Sequence, residues 1–541
     1  MKKKSIVGII VAVAVIVILS IIVVIKLNSN KPNEVVTIDD NYRTYYEIFT
    51  YSFYDSDKDG IGDLRGIVEK LDHINDGDNN TMDDLGCNGI WLMPIMPSTT
   101  YHKYDVVDYY DIDPEYGTLD DFKVLVEECD KRDIKLIIDF VFNHTSSKHK
   151  WFVDAVEYLE QLPPGIEASV DECPYVDYYN FVYGEPSKSG YYRAGDSEYY
   201  YEAMFWSEMP DLNLGSDAVR VEIENVAKFW MDMGIGGFRL DAAKEFYSGN
   251  VGKNTEVLEW FTSYVKGLDE EAYVVAEVWS QANVITQMYA SGIDSMFNFP
   301  LARHDGLVAK TVNRHVPNNA ALLFGRQLVK YQEDYSKQNP DYIDAPFLAN
   351  HDMARLAGYY LSHSDRMKMA AGVLMTLNGS PFLYYGEEIG MKSIGKKDES
   401  KRTPFIWSNT NDEGMTSGPV AMELAEPKFA PLDEQLEDEQ SIYRYYTRAI
   451  RLRNENPEIA RGKMSLCEEV SGDTICVIKK NYKDEQITIV YNISDEADEV
   501  DLEAIYCGER VYSQLTVDVN EKVVLEDTTL KMPKYSIAVL R

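Results

Sequence analysis

The stretch Lys135-Leu-Ile-Ile-Asp-Phe140 is a short apolar run, and Val-Phe-Asn143-His144 follows it directly. Short apolar runs of this kind are typical of parallel strands that are buried on both faces. Seven further runs occur along the chain, and segments with helical periodicity, such as 120–132, 217–233 and 364–376, lie between runs. The further strand candidates are Tyr46–Ser52, Gly89–Met93, Gly236–Leu240, Ala272–Glu277, Ser295–Phe299, Pro346–Asn350 and Phe382–Tyr385. Eight such units predict an α/β fold, a (β/α)8 TIM barrel.

The regions around the barrel differ in pattern and predict further domains. About 70 residues separate the third strand from the next clear helix, too many for a structureless loop, and they predict an inserted subdomain. After a helix at Ile442–Asn454, alternating runs such as Thr474–Tyr482 predict a C-terminal antiparallel β domain. The predicted domains are a cytoplasmic tip with an anchor (1–27), a linker (28–41), the two barrel parts (42–144 and 209–455), the inserted subdomain (145–208) and a C-terminal β-sandwich (456–541).

The N-terminus predicts a membrane anchor. Three lysines, Lys2 to Lys4, precede an uncharged and mostly apolar run from Ser5 to Ile25. At 1.5 Å per residue a helix of this length spans roughly 31 Å, close to the ~30 Å hydrocarbon core of a bilayer. The run therefore predicts a single transmembrane helix in the cell membrane, with the rest of the chain outside by the positive-inside rule. A cleaved signal peptide, and hence a secreted protein, is the alternative.

Composition excludes some classes of partner and site. The chain of 541 residues carries a formal net charge of −37, which argues against nucleic acid as a partner because that binding needs clustered Lys and Arg. None of the six cysteines lies in a CxxC pair, so a zinc site is not expected. Cys467 and Cys476 flank Ser471-Gly472 symmetrically. A two-residue turn there predicts that these cysteines lie opposite each other, less than about 7 Å apart at Cα, with or without a disulfide.

Four of the predicted strands end in polar side chains. Because the carboxyl ends of barrel strands meet at one mouth, these side chains are expected to converge. A single acid at a strand end is ordinarily a helix cap or a salt-bridge partner, but three acids on three strands favour an active site. The residues are Asn143 and His144 after the third strand, Arg239 and Asp241 on the fourth, Glu277 on the fifth, and His351 and Asp352 after the seventh.

These strand ends resemble the four signature regions of the α-amylase superfamily, glycoside hydrolase family 13, and the similarity extends from about Tyr42 to the C-terminus. The resemblance implies an extracellular hydrolase of α-linked glucans. It implies that Asp241 is the nucleophile, Glu277 the general acid/base and Asp352 a third carboxylate that stabilises the distorted sugar. Arg239, two residues before Asp241 on the same face of the strand, would hydrogen-bond it. The retaining reaction predicts that the carboxyl groups of Asp241 and Glu277 lie about 5–5.5 Å apart.

The resemblance also implies which residues bind the sugars. His144 and His351 would bind hydroxyls of the sugar at the cleaved bond, and Tyr104 would stack under that sugar. Lys244 would reach a sugar on the acceptor side. Family members usually carry Lys-His after the nucleophile motif, whereas this chain has Lys244-Glu245, so its acceptor subsites are expected to differ.

Two calcium sites are predicted. The stretch Asp55-Ser-Asp57-Lys-Asp59-Gly-Ile61-Gly-Asp63 offers four carboxylates and the backbone carbonyl of Ile61, and hard oxygens in that number suit Ca²⁺. The stretch lies just after the first strand, where the resemblance also implies a Ca²⁺ loop; a merely solvated acidic turn is the alternative. A second site between the barrel and the inserted subdomain would use Asn143, Asp211 and the carbonyl of Glu245.

Substrate choice depends on two further segments. Exo-acting relatives resemble one another in carrying an acidic residue in the loop after the second strand that captures the terminal sugar, whereas this loop reads Tyr101-His102-Lys103-Tyr104-Asp105, with Tyr and His as in endo-acting amylases. Met209-Pro-Asp211-Leu-Asn213 resembles the group intermediate between oligo-1,6-glucosidases and neopullulanases. The sequence therefore predicts cleavage of internal α-1,4 bonds in starch and maltodextrins. The alternatives are an exo-acting α-glucosidase or oligo-1,6-glucosidase, and a cyclomaltodextrinase or neopullulanase.

Two alternatives concern the reaction itself. A transglycosylase or phosphorylase would use the same residues and differ only in what accepts the glycosyl group. A non-catalytic membrane partner, similar in layout to the heavy chains of amino-acid transporters, would also combine one N-terminal span with an amylase-like domain. That role does not need a complete set of acids, and Asp241, Glu277 and Asp352 are all present here.

Overall fold

The computed structural model describes residues 38, 40–314, 318–505, 507–508 and 510–541. Its centre is a parallel sheet of seven strands, and each strand lies beside its neighbour in a TIM-barrel-like order. From one edge to the other the strands are Phe382–Tyr384, Tyr45–Ile48, Gly89–Leu92, Lys135–Phe140, Gly237–Leu240, Tyr273–Ala276 and Ser295–Met296.

The predicted seventh strand, Pro346–Asn350, is present only as isolated bridges. Phe297 pairs in parallel with Ala345, and Phe347 pairs in parallel with Phe382. The segment therefore lies between the two edge strands, where a barrel needs it. Pro346 has no N–H to donate, which limits the ladder that this segment forms.

Side chains alternate between the inside and the outside of the sheet. Tyr45, Trp91, Ile137 and Tyr273 belong to an inner cluster, whereas neighbouring strand residues face the helices. Gly237 has φ +142°, and a Cβ there would lie 1.9 Å from the carbonyl oxygen of Tyr273. Glycine at this position therefore allows the fourth and fifth strands to approach each other.

Helices follow most strands and bury one face on the sheet. Ser216 caps the helix Asp217–Asp232, and Thr118 forms a capping box with Asp121 at the start of Leu119–Asp130. The other helices are Leu64–Glu69, Leu71–Ile74, Val251–Leu268, Ala282–Met288, Leu307–Val312, Ala320–Gln338, Leu356–Tyr359, Ser364–Thr376, Leu432–Leu436, Ile442–Asn454 and Pro457–Arg461. Short 3-10 turns lie at Thr50–Ser52, Pro174–Asp177, Tyr289–Ser291, Glu399–Lys401 and Glu468–Val470.

The long segment after the third strand has structure of its own. It contains the helix Lys150–Gln161 and a three-stranded antiparallel sheet in the order Phe181–Tyr183, Tyr199–Glu202, Tyr191–Arg193. Bridges between His144 and Asp211 and between Tyr179 and Leu212 attach its end to the barrel. The end of the insertion is therefore held beside the mouth of the barrel.

The C-terminal region consists of two antiparallel sheets with apolar residues of both sheets in one buried cluster. The five-stranded sheet has the order Lys463–Leu466, Ile475–Tyr482, Glu485–Asn492, Ser536–Leu540, Val511–Leu515. The three-stranded sheet has the order Asp498–Asp501, Thr529–Met532, Val524–Glu526.

The predicted register of Cys467 and Cys476 is wrong by one residue. The backbone N–H of Cys467 donates to the carbonyl of Val477 at 2.9 Å, and a 3-10 turn at Glu468–Val470 replaces the expected two-residue turn. A shift of one residue moves a side chain to the other face of a sheet. Cys476 accordingly packs toward the barrel and Cys467 toward the second sheet, and both thiols are free.

The expected single-pass location in the cell membrane is not supported. In the part of the chain that the structure describes, no helix is both long and apolar enough to cross a membrane. The longest of these helices, Ala320–Gln338, carries Arg, Lys, Asp and Glu side chains, which a bilayer core disfavours. The predicted span, Ser5–Ile25, lies outside the described residues.

Candidate active site

Two acids are held by the strand ladder at the mouth of the barrel. The backbone N–H of Asp241 donates to Phe140 O at 3.3 Å, and that of Glu277 donates to Leu240 O at 2.9 Å. These bonds continue the parallel ladder one residue beyond each strand. The positions of both side chains are therefore set by the rigid sheet and not by a loop.

Arg239 is fully buried among three carboxylates. Its Nη1 donates to Asp139 Oδ1 at 2.8 Å and to Asp241 Oδ1 at 2.7 Å. Its Nη2 lies 2.9 Å from Glu277 Oε2, without the alignment of a hydrogen bond. One guanidinium thus faces three acids, so each carboxylate has only a share of one positive charge.

Asp139 and Glu277 are the two acids of this group that burial makes easier to protonate, and Glu277 is the one whose backbone continues the ladder beside Asp241. Burial raises its pKa to about 7, Arg239 lowers it, and the nearby charge of Asp241 raises it again. Its Oε2 accepts a hydrogen bond from the backbone N–H of Ala242 at 3.1 Å, which fixes the carboxyl group beside Asp241. A carboxyl group in this state donates a proton near neutral pH.

Asp352 has the opposite environment. Arg402 Nη2 donates to its Oδ1 at 2.7 Å, His351 Nε2 lies 3.1 Å from its Oδ2, and Lys401 Nζ donates to its backbone carbonyl at 2.8 Å. Burial alone would raise the pKa of Asp352, but His351 and Arg402 lower it well below its usual range. Asp352 is therefore ionised throughout the neutral range.

Aromatic and imidazole rings line the cleft between these acids. The Tyr104 hydroxyl donates to Asp139 Oδ2 at 3.1 Å, and it lies 2.8 Å from His351 Nε2. The Tyr101 hydroxyl accepts from Arg402 Nη1 at 3.1 Å. His102 Nδ1 accepts from the backbone N–H of Tyr104, and burial lowers the pKa of His102 to about 4, so this ring is neutral.

His144 has one ring nitrogen without a partner. Its Nδ1 lies 3.3 Å from Asn143 Nδ2, and its Nε2 is buried and makes no hydrogen bond within the described part of the chain. Burial lowers the pKa of His144, so the ring is neutral and Nε2 is free for a polar ligand atom. The Phe205 ring, half exposed, lies 5.4 Å from it.

Lys244 makes two polar contacts at the rim of the cleft. Its Nζ lies 3.1 Å from Glu245 Oε1 and donates to the carbonyl of Trp279 at 3.4 Å. The Glu that replaces the family's usual His therefore contacts the lysine directly. Asp211 receives a hydrogen bond from Asn143 Nδ2 at 3.4 Å and from the Met204 N–H at 3.0 Å, and burial raises its pKa to about 7.

The acidic loop after the first strand brings three carboxylates together. Oxygens of Asp55, Asp57 and Asp63 lie within 4.8 Å of one another. Backbone N–H groups of Lys58 and Gly60 donate to Asp55, which closes the loop around them. Three hard oxygen donors at this spacing fit a calcium ion. Asp59 is outside this group and accepts from the N–H of Ile61 at 2.7 Å.

Comparisons with known proteins agree with this arrangement. The family model of the alpha amylase catalytic domain matches residues 47–462. The chain belongs to the α-amylase family. It is 37% identical to Alpha-amylase 3 of Dictyoglomus thermophilum over 451 residues, which cover 83% of this chain and 84% of that protein.

Solved structures agree as well. Eubacterium rectale Amy13B superimposes with a TM-score of 0.89 at 44% identity, covering 94% of this chain and 96% of that one. The alpha-amylase from H. orenii gives a TM-score of 0.80 at 34% identity, covering 92% and 99%. The resemblance to glycoside hydrolase family 13 is thereby confirmed, and this family member is a glycosidase acting on α-glucans. The non-catalytic alternative is set aside.

Three residues of this glycosidase's cleft were not among the predicted site residues. Asp139 is buried on the third strand and holds Arg239 and Tyr104, and its position near a strand end was the signal for it. Glu47 lies 2.5 Å from His351 Nδ1, but within an apolar strand it has no sequence signal of its own. Arg402 comes from an irregular segment after the eighth strand, where no periodicity marks it.

Proposed function

We propose that this glycosidase hydrolyses internal α-1,4-glucosidic bonds of starch-like chains with retention of the anomeric configuration. The observation that carries the proposal is the pair Asp241 and Glu277 on one guanidinium, with Glu277 protonated near neutral pH. Retaining glycosidases need one ionised carboxylate beside one protonated carboxyl group. The short separation that a shared guanidinium permits suits the retaining class.

The reaction has two steps. In the first, Asp241 attacks the anomeric carbon while Glu277 gives its proton to the departing glycosidic oxygen, and a covalent glycosyl–Asp241 ester forms. In the second, Glu277 takes a proton from water, the hydroxide oxygen bonds to the same carbon, and Asp241 leaves as carboxylate. Two inversions give net retention, and both residues return to their starting states.

Other residues of the cleft bind the sugar in this proposal. Asp352, kept ionised by His351 and Arg402, accepts hydrogen bonds from hydroxyls of the sugar as it distorts. His144 Nε2 donates to a hydroxyl, and Tyr104 supplies a ring face. His351 and Lys244 complete the set, with Lys244 and Glu245 on the acceptor side.

Internal cleavage is supported by the loop after the second strand. In the stretch 101–105 of this loop the one carboxylate, that of Asp105, is fully buried and accepts from Ser98 Oγ and Thr100 Oγ1 at 2.5 Å each. Lys103 is also buried and paired with Asp113 at 3.0 Å. This stretch therefore offers the cleft no charge that would stop a chain beyond the first donor sugar. Tyr101 and His102 can line a longer path.

We also propose that Asp55, Asp57 and Asp63 hold a calcium ion, with Asp59 and the Ile61 carbonyl as further candidate ligands. The ion would stabilise the loop after the first strand and takes no part in bond cleavage. A second site at Asn143, Asp211 and the Glu245 carbonyl stays a prediction. In this structure Asn143 and Asp211 contact each other.

The test is a product profile on maltoheptaose whose non-reducing end is blocked, beside the unblocked sugar, pullulan, cyclodextrin and isomaltose. We expect similar initial rates on both maltoheptaoses, products of maltose size and longer, and the α-anomer first by NMR. Asp241→Asn is expected to lose about 10⁴-fold in rate while remaining folded. Glucose alone from the first minutes, with isomaltose preferred to maltohexaose, would show an exo-glucosidase instead.

A further inference from the structure

A buried carboxylate lies below the cleft and is not used by the mechanism above. Glu47 is on the first strand, Tyr45–Ile48, and only 1% of its surface is exposed. Its Oε1 lies 2.5 Å from His351 Nδ1. Burying a carboxylate costs free energy unless it is paired, and among the described residues the side-chain partner of Glu47 is an imidazole that reaches the substrate side of the cleft.

His351 connects Glu47 to the residues that face the sugar. Its Nε2 lies 2.8 Å from the Tyr104 hydroxyl and 3.1 Å from Asp352 Oδ2. Its ring stacks on Tyr104 with centroids 5.5 Å apart. The imidazole therefore has a carboxylate on each side and cannot turn without losing the stack.

The directions of the hydrogen bonds follow from these contacts. Asp139 faces three donors, because Arg239, Trp91 and Tyr104 all donate to it. The single hydroxyl proton of Tyr104 is used in that bond, so Tyr104 accepts from His351 Nε2–H. His351 Nδ1 faces only an acceptor, Glu47, so it also carries a proton. With Asp139 and Glu47 ionised, the contacts therefore require an imidazolium.

We propose that Glu47 is a positioning residue: by holding His351 as an imidazolium, it sets the direction of the hydrogen bonds that run through Tyr104 and Asp139 to Arg239 beside Asp241. This proposal rests on the proposed roles of Asp241 and Asp352. Without the charge of Glu47, His351 loses a proton, Tyr104 turns its hydroxyl toward Nε2, and Asp139 loses a donor. The hydrogen bonds that Arg239 donates to Asp139 and to Asp241 then change in relative strength.

The charges around the ring agree with this assignment. Burial lowers the pKa of His351, but Asp352 and Glu47 raise it further than burial lowers it, to about 9. Burial raises the pKa of Glu47, and His351 and Arg239 lower it. Other titratable and charged groups also face this pair. In the order of the strands they are Tyr104 after the second strand, Asp139 on the third, Arg239 on the fourth, Asp352 after the seventh, Tyr384 on the eighth, and Glu387 and Arg402 after the eighth.

The chain supplies a matched control in the neighbouring residue. Tyr46 faces the other side of the same strand, and its hydroxyl donates to Glu388 Oε1 at 2.6 Å. His73 Nε2 lies 3.1 Å from that oxygen. Glu388 and His73 thus form a second buried carboxylate–histidine pair that is outside the cleft.

The experiment compares Glu47→Gln with Glu388→Gln. We expect Glu47→Gln to lower kcat by about 10–100-fold and to move the alkaline limb of the pH profile to lower pH. Glu388→Gln is expected to change kcat less than about 3-fold and to leave the pH profile unchanged. In a His351→Gln background, adding Glu47→Gln is expected to change kcat less than about 2-fold, because Glu47 acts through His351. Equal effects of Glu47→Gln in both backgrounds, or an unshifted pH profile, would overturn the proposal.

A second measurement needs neither a variant nor substrate. In the wild-type protein with ¹⁵N-labelled histidine, we expect two protonated ring nitrogens for His351 at pH 8. A neutral His351 at that pH would refute the assignment even if Glu47→Gln fails to fold. If Asp241→Asn keeps full activity, the proposed function fails, and the NMR result still decides the protonation of His351 separately.

Discussion

The carboxylates on the two sides of the cleft have opposite electrostatic environments. On one side, Asp139, Asp241 and Glu277 share the single cation Arg239. On the other, Asp352 alone has both Arg402 and the His351 ring. Asp139, Asp241 and Glu277 are buried, whereas the side chain of Asp352 is 31% exposed. The two sides therefore differ both in the exposure of their carboxylates and in the number of cations that each carboxylate faces.

The difference explains how one pocket holds a protonated carboxyl group and an ionised carboxylate at the same pH. The pKa of Glu277 is raised to about 7 because burial outweighs its share of one guanidinium. The pKa of Asp352 is lowered because two cations outweigh the effect of burial on it. A glycosidase needs this separation, since one group has to donate a proton while its neighbours stay charged.

The largest expected effect concerns the proton on Glu277. Glu277→Gln is expected to lower kcat/KM on maltoheptaose by about 10²–10⁴-fold, because no group protonates the leaving sugar. On α-glucosyl fluoride, whose leaving group needs little protonation, the loss is expected to be much smaller. In the wild-type enzyme kcat/KM is expected to fall above about pH 7, as Glu277 ionises. A loss of equal size on both substrates would contradict the role as acid. Asp171→Asn, at an exposed position, serves as the control.

Smaller effects are expected in the free energy of unfolding, with opposite signs for variants on the two sides of the cleft. The folded-state pKa of Glu277 lies above its ordinary value of 4.5, so the stability from its proton is present below pH 4.5 and is lost as pH rises through about 7. Glu277→Gln is therefore expected to be more stable than wild type at pH 8, by roughly 1–3 kcal/mol.

The folded-state pKa of Asp352 is depressed, so its contribution is present above pH 3.8 and is lost at lower pH. Asp352→Asn is expected to be less stable than wild type at pH 8, by about 2–4 kcal/mol, because it removes the charged carboxylate that faces both His351 and Arg402. Urea unfolding at pH 8 measures both variants. Stability changes of the same sign in Glu277→Gln and Asp352→Asn would contradict the opposite environments of these two carboxyl groups.

The smallest effect is expected in the acidic loop, where backbone N–H groups face the carboxylate of Asp55 and no side-chain cation of the described residues is paired with it. A calcium ion would supply the positive charge in this loop that Arg239 and Arg402 supply in the cleft. Chelation is expected to lower Tm by a few degrees. In Asp57→Asn this shift is expected to disappear, whereas Asp59→Asn, in the same loop but outside the three-carboxylate group, is expected to keep most of it. Equal losses would support the larger ligand set predicted from the sequence.

Much of the fold follows from local pattern. The third strand, Lys135–Phe140, and the helices Ser364–Thr376 and Ile442–Asn454 have the predicted bounds, because apolar periodicity and caps are local properties. The register around Cys467 was wrong because a 3-10 turn and a two-residue turn fit the same short sequence and differ only in packing. The seventh strand was predicted too long, since pattern does not reveal how few ladder bonds a segment with Pro346 forms.

The sequence by itself determined the family, the order of strands and the acids that end them, because a strand-end carboxylate is visible as a residue type at a spacing. Only the tertiary structure decided the charge of each acid. That charge depends on Arg402, which is 50 residues from Asp352 in the chain, and on Glu47, which is 304 residues from His351. Electrostatic interactions act through space, and no local pattern records which distant cation a fold brings to a buried carboxylate.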